Sequence, residues 1–320
     1  MPRPTSDTTL QRPDLGAIAY EYMIEASERG FIGLDILPIF GVPEKSADYP
    51  VIPIEALIKI QDTVRSARGK YNSSDYEFET NTYSCKEHGW KEPVDDSEKK
   101  LYQRFFDSEE IATKRCVDII LRSQEKRIAD MVFNTSNLTN SDVTTEWSVS
   151  ATCTPRADVW AKKTLMRAAS GLTPNTMVVS LKVLENLLIS AEITDALKYT
   201  NPIELGGIEA QKRILAQYFG MDNLLVGGGI RDSAKKGQSF VIADLWEDEY
   251  CLLAKTSVNA DLRDPCLGRT FLWEEDSPEN VVVEQYRDEE LRSEMYRVRH
   301  SVDECFVFKG AGYLMTNITA

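Results

Sequence analysis

The stretch from about residue 45 to residue 96 constrains the fold more than any other part of the sequence. It is polar and aromatic, with alternating segments such as YEFE at 76–79 and TNTYS at 80–84, and a turn-rich patch at 70–75. Alternation around a turn predicts a long β-hairpin. Because a two-stranded hairpin is marginally stable alone in water, this arm must pack on something else. In a monomeric enzyme that partner is the same chain, and in an assembly it is a neighbouring subunit.

The clearest helix prediction runs from about Ser108 to Phe133. Asp107 is a good N-cap, and Glu110 three residues later completes a capping-box pattern. A helix of this length exceeds the usual length of about 11 to 12 residues and predicts a spine on which other elements pack. The polar side of this helix is expected to carry Lys114, Arg115, Arg122, Glu125 and Lys126. Its apolar stripe at helical spacing is Ile111, Val117, Ile120, Leu121, Ile128, Met131 and Val132.

Shorter predictions cover the N-terminal forty residues and the middle of the chain. Two prolines within the first four residues predict an extended N-terminal arm, and FIGLDILPIFGVP at 31–43 predicts an irregular packed segment. After Pro174 the pattern is that of a compact α/β mixture. The expected helices lie at about 18–28, 156–169, around 184–188 and at 208–219, and the expected strands at 176–181, 223–226, 239–243 and 250–254.

The C-terminal forty residues predict four strands joined by short turns that are charged or contain glycine. Such a pattern is typical of an antiparallel meander. The expected strands are Val281–Tyr286, Met295–His300, Val302–Phe308 and Tyr313–Ile318.

Charge and cysteine usage exclude several classes of protein. The net charge is −14, and the basic residues form pairs such as Lys99-Lys100 and Lys235-Lys236 rather than blocks, which argues against a protein whose main work is binding nucleic acid. No stretch approaches the roughly 20 apolar residues that span a bilayer. Six cysteines without a CxxC pair are typical of the reduced thiols of a cytoplasmic protein.

The glycine run Gly227-Gly228-Gly229, with Lys235-Lys236-Gly237 after it, is the strongest indication of a phosphate site. A phosphate-binding P-loop needs GxxxxGK[ST] leading into a helix, so that backbone N–H groups face the phosphates. Here the glycines are contiguous, the lysines precede Gly237, and a strand is expected next. A loop between two strands is therefore the favoured interpretation.

The remaining candidate chemistry is sparse. Cys85-x-x-His88 has a metal-ligand spacing, but a structural zinc site needs four ligands and no second pair is present; a polar turn of the hairpin is favoured. His300 is expected to be salt-bridged or at the surface. The acidic runs at 274–276 and 288–290 are interpreted as solvated strand ends, and the sequence has no GxSxG elbow. We therefore predict no catalytic, cofactor-binding or metal-binding residue.

The C-terminal sequence NVVVEQYRDEELRSEMYRVRHSVDECFVFKGAGYLMTNIT resembles the closing strands of tailed-bacteriophage major capsid proteins with the Hong Kong ninety-seven-type fold. The similar segments are Val281–Tyr286, Tyr296–Arg299 and Gly312–Asn317. TNPIELGGIEAQKRILAQYFGMDNLLVGGGIRD, at 200–232, is similar to helix-then-strand segments of the axial domain in these proteins.

The resemblance implies an α+β fold with four parts in the family's order. These are an N-terminal arm at residues 1–44, an extended β-hairpin (the E-loop) at 45–96, a peripheral domain at 97–171 and 273–302 with the spine helix 108–133, and an axial domain at 172–272 and 303–320. Aromatic side chains of the hairpin should be buried on neighbouring subunits: Tyr71, Tyr76, Phe78, Tyr83 and Trp90. Deleting residues 66–88 should then leave a folded subunit that fails to assemble.

The function implied is that of a structural major capsid protein, not an enzyme, that self-assembles into the icosahedral or prolate shell around the double-stranded DNA of a tailed phage. Its expected partners are other copies of itself in hexamers and pentamers, a portal, decoration or cement proteins, and DNA held only non-specifically, with no membrane and no cofactor. Because only residues 1–44 precede the hairpin, the chain is expected to be either a mature product or a subunit that assembles with a separate scaffolding protein, and Met1 favours the second. The expected location is the virion, after assembly in the host cytoplasm. The alternatives are an encapsulin-like compartment, another virion component such as a tail protein, and a soluble α/β enzyme.

Overall fold

The structure is a computed structural model that describes residues 10–24, 30–51, 58–65, 68–73, 79–102, 107–198, 207–257, 259, 264–278 and 280–319. The helices are α1 Pro13–Ile24, α2 Gly33–Ile36, α3 Asp96–Tyr102, α4 Ser108–Val132, α5 Pro155–Ser170, α6 Leu181–Ile189, α7 Ala191–Leu197 and α8 Ile208–Phe219. The strands are β1 Leu10–Gln11, β2 Ile39–Val42, β3 Ser46–Val51, β4 Glu79–Ser84, β5 Lys86–Asp95, β6 Thr139–Asp142, β7 Thr176–Ser180, β8 Asn223–Gly227, β9 Ile230–Asp232, β10 Ile242–Asp244, β11 Cys251–Ala254, β12 Gly268–Trp273, β13 Val282–Asp288, β14 Ser293–Phe306 and β15 Gly312–Thr316.

Helix α4 forms where its sequence pattern predicts it. The Asp107 side chain accepts a hydrogen bond from the backbone N–H of Glu109 at 2.9 Å, which confirms the N-cap. The reciprocal half of the capping box is not formed, because Glu110 pairs with Lys114 at 2.6 Å instead. Ile111 is 40% exposed and lies outside the buried stripe. The apolar residues that α4 does bury include Cys116, Val117, Ile120, Leu121, Ile128 and Val132.

A six-stranded sheet packs against α4 and is organised around the 14-residue strand β14. Its order is β1-β13-β14-β12-β2, with β5 also paired to β14. Val302 of β14 pairs with both Lys86 of β5 and Leu272 of β12, so these two strands flank β14 on opposite sides. Strands β12 and β13 therefore follow one another along the same side of β14, separated by the turn at 274–281.

The predicted four-stranded C-terminal meander is wrong in two respects. The strands expected at Met295–His300 and Val302–Phe308 are one continuous strand, β14, and the last strand, β15, belongs to a different sheet. Ser301, the polar residue expected to separate them, is buried within the strand. Its backbone N–H donates to Ser277 Oγ at 3.2 Å and its hydroxyl donates to Asp276 at 2.6 Å, so the strand continues through it.

A five-stranded sheet of order β6-β15-β11-β7-β8 forms the second centre of the fold. All five residues of β7 and of β15, and all four of β11, are buried, as expected for strands covered on both faces. Neighbouring residues of β11 alternate between two hydrophobic clusters: Leu252 lies in the cluster with α4 and Leu253 in the cluster with helices α5 to α8. The five-stranded sheet thus lies between α4 and helices α5 to α8, while α1 and α2 pack on the α4 side.

Strands β3 and β4 form the predicted antiparallel hairpin, in which Ser46 pairs with Ser84 and Val51 with Glu79. After Cys85 the chain continues from β4 directly into β5, so the hairpin arm is rooted in the six-stranded sheet. The prediction that Tyr83 packs on a neighbour is wrong, because its ring stacks on Phe271 of the same chain at 4.7 Å. Deleting residues 66–88 would therefore remove part of the core as well as the arm.

The helices at Pro155–Ser170 and Ile208–Phe219 and the strand at Asn223–Gly227 confirm the predictions for this part of the chain within one residue at each end. The segment at 31–43, expected to be irregular, contains helix α2 and strand β2, which pairs in parallel with β12. Helix α1 begins at Pro13 rather than near residue 18, and the strand expected at 239–243 is the shorter β10. Among the described helices, none combines the length and apolar character needed to cross a membrane.

Candidate assembly surfaces

The glycine run is a packing site between two strands. It connects β8 to β9, which confirms the predicted loop, and a strand rather than a helix follows. The Gly228 N–H donates to the carbonyl of Gly30 at 3.1 Å. A Cβ placed on Gly227 would lie 2.3 Å from Cδ1 of the buried Trp246. The glycines therefore permit close approach of the N-terminal segment and of an indole ring, and the helix N-terminus that a P-loop requires does not follow them.

The two histidines lie side by side on paired strands rather than at a turn or on the surface. His88 of β5 pairs with His300 of β14, and their ring centroids are 5.8 Å apart. His300 is 1% exposed, so the prediction of a salt-bridged or surface histidine is wrong, and its Nε2 has no hydrogen-bond partner among the described residues. Burial, with the Arg127 charge nearby, lowers the pKa of His300 to about 3. This ring is therefore neutral at physiological pH.

Cys85 does not join His88 in a metal site. Its buried thiol lies 3.6 Å from the carbonyl oxygen of Phe271, and burial raises the pKa of the thiol to about 11. Within the described ranges, no group of three or more His, Cys, Asp or Glu side chains is arranged to hold a metal ion.

Both acidic runs lie at strand ends, as predicted. Residues 274–276 are in the turn between β12 and β13, and 288–290 span the end of β13 and the turn before β14. Asp276 is held by Arg299, with Oδ1 and Nη1 2.6 Å apart. Although burial opposes the shift, hydrogen bonds from Ser301 and Arg299 lower the pKa of Asp276. Asp276 therefore fastens this turn to β14.

A buried carboxylate on α4 joins three parts of the chain. Glu125, predicted on the polar side of the helix, is 4% exposed. Its oxygens accept hydrogen bonds from the backbone N–H groups of Ile32 and Gly33 at 2.8 Å and from Trp246 Nε1 at 2.7 Å. Burial raises the pKa of Glu125, although these three donors act in the opposite direction. Glu125 is therefore an internal junction of the fold.

The described part of the hairpin arm beyond its paired strands carries apolar side chains with no core around them. Ile60 is 95% exposed, and the Arg65 guanidinium lies 4.7 Å from the ring centroid of the exposed Tyr71. Trp90, at the arm's root in β5, is half exposed. Tyr76 and Phe78 lie outside the described residues. The apolar side chains exposed on the arm are Ile58, Ile60, Val64 and Tyr71.

Helix α5 has an apolar surface on the side away from its own core. Its inner side buries Val159 and Met166, while Trp160 and Leu165 are about half exposed at 52% and 49%. This surface was not predicted from the sequence, although apolar residues on more than one side of a helix are a recognisable signal. The exposed residues of this surface, the α5 stripe, are Ala157, Trp160, Ala161, Thr164, Leu165 and Ala168.

The arm and the α5 stripe thus expose apolar side chains at two places on the described chain. No protein-family model matches the chain. A curated relative, the major capsid protein of Burkholderia phage BcepMu, is 23% identical over 298 residues, which cover 90% of this chain and 91% of that protein.

Solved structures show similarity over nearly the whole chain. A phage-related protein from Bordetella bronchiseptica RB50 superposes with a TM-score of 0.72 at 18% identity, covering 97% of this chain and 98% of that one. The capsid structure of the cyanophage P-SCSP1u gives a TM-score of 0.56 at 8% identity, over 88% and 86%. A virus-like particle from Pyrococcus furiosus gives 0.55 at 9% identity, over 93% and 97%. The chain therefore has the fold of phage capsid proteins, and the resemblance drawn from its C-terminal strands is confirmed.

Proposed function

We propose that this chain is a structural subunit of a phage head: a major capsid protein that assembles with copies of itself into a shell around the genome and catalyses no reaction. The observation that carries the proposal is the hairpin arm. Its root is fixed in the six-stranded sheet, while Ile58, Ile60, Val64 and Tyr71 beyond the paired strands are exposed. Apolar side chains exposed to water contribute no hydrophobic stabilisation to the isolated subunit, but they would do so if a neighbouring subunit buried them.

The two sheets support a division into a peripheral and an axial domain. The boundaries expected from the resemblance are 97–171 and 273–302 for the peripheral domain, and 172–272 and 303–320 for the axial domain. Because β12 and all of β14 lie in the six-stranded sheet, residues 268–272 and 303–306 go with the peripheral domain in this proposal. Because β6 lies in the five-stranded sheet and α5 packs in the cluster with helices α6 to α8, residues 139–170 go with the axial domain. Residues 1–44 and 45–96 are the N-terminal arm and the E-loop.

Hexamers and pentamers of this chain, a separate scaffolding protein, a portal and decoration proteins are the partners that we propose for the shell in the virion. The net charge of −14 supports the proposal that the shell makes only non-specific contacts with packaged DNA, because an acidic inner surface repels phosphates. Assembly would take place in the host cytoplasm.

A shell that encloses protein cargo is the second candidate, favoured by the similarity to a virus-like particle from Pyrococcus furiosus. The two candidates differ in content. Shells purified from cells that carry the neighbouring genes should contain nuclease-protected DNA if the chain builds a phage head. A cargo compartment would instead contain a defined protein and no protected DNA.

The test of assembly compares the full chain with a variant that lacks the distal arm. Val51 and Glu79 are directly paired, so an Asn-Gly turn can join them in place of residues 52–78 and keep Tyr49, Tyr83 and Cys85 in the core. Sedimentation velocity and negative-stain microscopy should show capsomers or shells for the full chain and folded monomers for the variant. A full chain that stays monomeric under every condition, with or without its neighbouring genes, would refute the proposal.

A further inference from the structure

A short β-ribbon leaves the five-stranded sheet after its edge strand β8. The ribbon, residues 230–244, consists of β9, β10 and the connection between them, and it pairs with no other described strand. Its register places Ile242 opposite Asp232 and Asp244 opposite Ile230. Because a two-stranded sheet is marginally stable in isolation, a ribbon of three paired residues needs additional contacts.

The ribbon has one side toward its own subunit and one side toward solvent. Arg231 and Ala243 form a cross-strand pair and are half-buried. The outer side and the adjoining connection are apolar to a degree unusual for a free surface. The exposed fractions are 47% for Ile230, 67% for Phe240, 51% for Val241 and 60% for Ile242.

The charge of the ribbon is opposite to that of the chain as a whole. Lys235 and Lys236 lie exposed in the connection, and neither belongs to an ion pair with another described residue. The full chain has 51 acidic residues against 37 basic ones, so the average surface that a second copy presents is acidic. DNA is a poorer match, because a phosphate backbone would leave the exposed apolar side chains of the ribbon in water.

We propose that the ribbon docks on an acidic surface of a second copy of this chain. Phe240, Val241 and Ile242 lose their contact with water at this interface, and Lys235 and Lys236 pair with carboxylates of the second copy. The contact joins different surfaces of the two copies, which is the arrangement that closes rings and shells. The inference rests on the proposed function, since both require self-assembly, and it adds a defined contact to it.

Zero-length carbodiimide cross-linking of the assembled full chain tests the contact directly. The sample is mixed from unlabelled and nitrogen-15-labelled chains, so that cross-links between copies differ in mass from those within a copy. We expect Lys235 or Lys236 to be joined to Asp or Glu residues of a different copy. If these lysines form cross-links only within one copy, the inference is overturned. It is also overturned if bound duplex DNA shields the lysines from cross-linking and nuclease treatment removes that shielding.

Variants of the full chain provide the second readout. Phe240→Ser and the double variant Lys235→Glu/Lys236→Glu should each reduce the assembled fraction at least tenfold in sedimentation velocity, with an unchanged midpoint of urea unfolding. Lys100→Glu/Lys309→Glu, which makes the same change of charge at two exposed lysines outside the arm and the ribbon, is the control and should assemble as the unmodified chain does.

The outcomes separate the two proposals. If the unmodified chain assembles and the ribbon variants assemble equally well, the ribbon inference is wrong and the proposed function stands. If the unmodified chain never assembles, the proposed function is wrong and the inference fails with it.

Discussion

Trp246 Nε1 donates a hydrogen bond to Glu125 Oε1 at 2.7 Å, which ties the segment between β10 and β11 to the middle of α4. The same carboxylate accepts the backbone N–H groups that open helix α2. Both Trp246 and Glu125 are buried, so a donor that lost its bond to Glu125 would have no water molecule to bond instead. A buried donor without an acceptor carries a desolvation cost. This is why one side chain can hold together α2, α4 and the segment between β10 and β11.

We expect Glu125→Gln to lower the free energy of unfolding by about 1–3 kcal/mol, because the amide NH₂ of glutamine would face N–H donors and leave at least one of them unpaired. Urea unfolding of the unassembled subunit, followed by tryptophan fluorescence, measures the change. Glu289→Gln is the matched control: the Glu289 side chain is 84% exposed, so the same chemical change should alter stability by less than about 0.5 kcal/mol. Equal stabilities of Glu125→Gln and the unmodified chain would contradict the role of the junction.

The position of Glu125 shows where prediction from the sequence ends. The 3.6-residue period and the Asp107 cap predict α4 within a residue, because both are local properties. The burial of Glu125 depends on Ile32, Gly33 and Trp246, which are distant in sequence. Their N–H groups donate to Glu125 on the side of the helix that the pattern of polar residues predicts to face solvent. Ser301 is a similar case: a polar residue looks like a strand end until Ser277 and Asp276 hydrogen-bond to it.

Below about pH 6.5 we expect the subunit to lose stability because of His300. Its folded pKa of about 3 lies under the ordinary value of 6.5, so the unfolded chain takes up a proton that the folded chain excludes. The free energy of unfolding is therefore highest above the unfolded pKa of His300. Below that pKa it falls by about 1.4 kcal/mol per pH unit, until the pH approaches the folded pKa. His88, Arg127 and Glu304 are the other titratable or charged groups at the site.

Urea unfolding of the unassembled subunit at steps from pH 7.5 to pH 5 measures this dependence, since most carboxylates titrate below that range. His300→Gln should show a shallower loss of stability than the unmodified chain. His88→Gln should also flatten the curve, because burial and then Arg127 lower the pKa of His88 as well. Parallel curves for His300→Gln and the unmodified chain would mean that the buried imidazole does not control the acid sensitivity.

The assembly surfaces were predictable to different extents. The arm has an alternating pattern without a local core, and that pattern predicts packing on something else, either the same chain or a neighbouring subunit. The α5 stripe was missed because small residues such as Ala157 and Ala161 carry little hydrophobic signal until the helix is seen to bury its other side. Tyr83 could not be separated from Tyr71 by pattern, because its burial depends on Phe271, 188 positions further along the chain.

Gly227→Ala should destabilise the subunit by about 1–3 kcal/mol, because the new methyl group would overlap the Trp246 ring in a packed core. Differential scanning fluorimetry should show a lower melting temperature. Gly228→Ala is the control, because a Cβ there would meet only the Cα of Gly30, at 3.8 Å, which is an ordinary contact distance. If Gly227→Ala melts at the temperature of the unmodified chain, then packing against Trp246 does not explain this glycine.

The root and the distal part of the hairpin arm should respond oppositely to the same substitution. Tyr83→Ala removes a ring that stacks on Phe271 at 4.7 Å and is 5% exposed, so we expect a loss of about 3 kcal/mol in the free energy of unfolding. Tyr71→Ala removes a ring that is 76% exposed, and its effect on the unassembled subunit should be less than about 0.5 kcal/mol.

In sedimentation velocity, Tyr71→Ala should nevertheless assemble less than the unmodified chain, because the ring is free to pack on a neighbour. Tyr71→Ala subunits that assemble normally would indicate that this ring lies outside the contact, and a stable Tyr83→Ala subunit would place the arm's root outside the core.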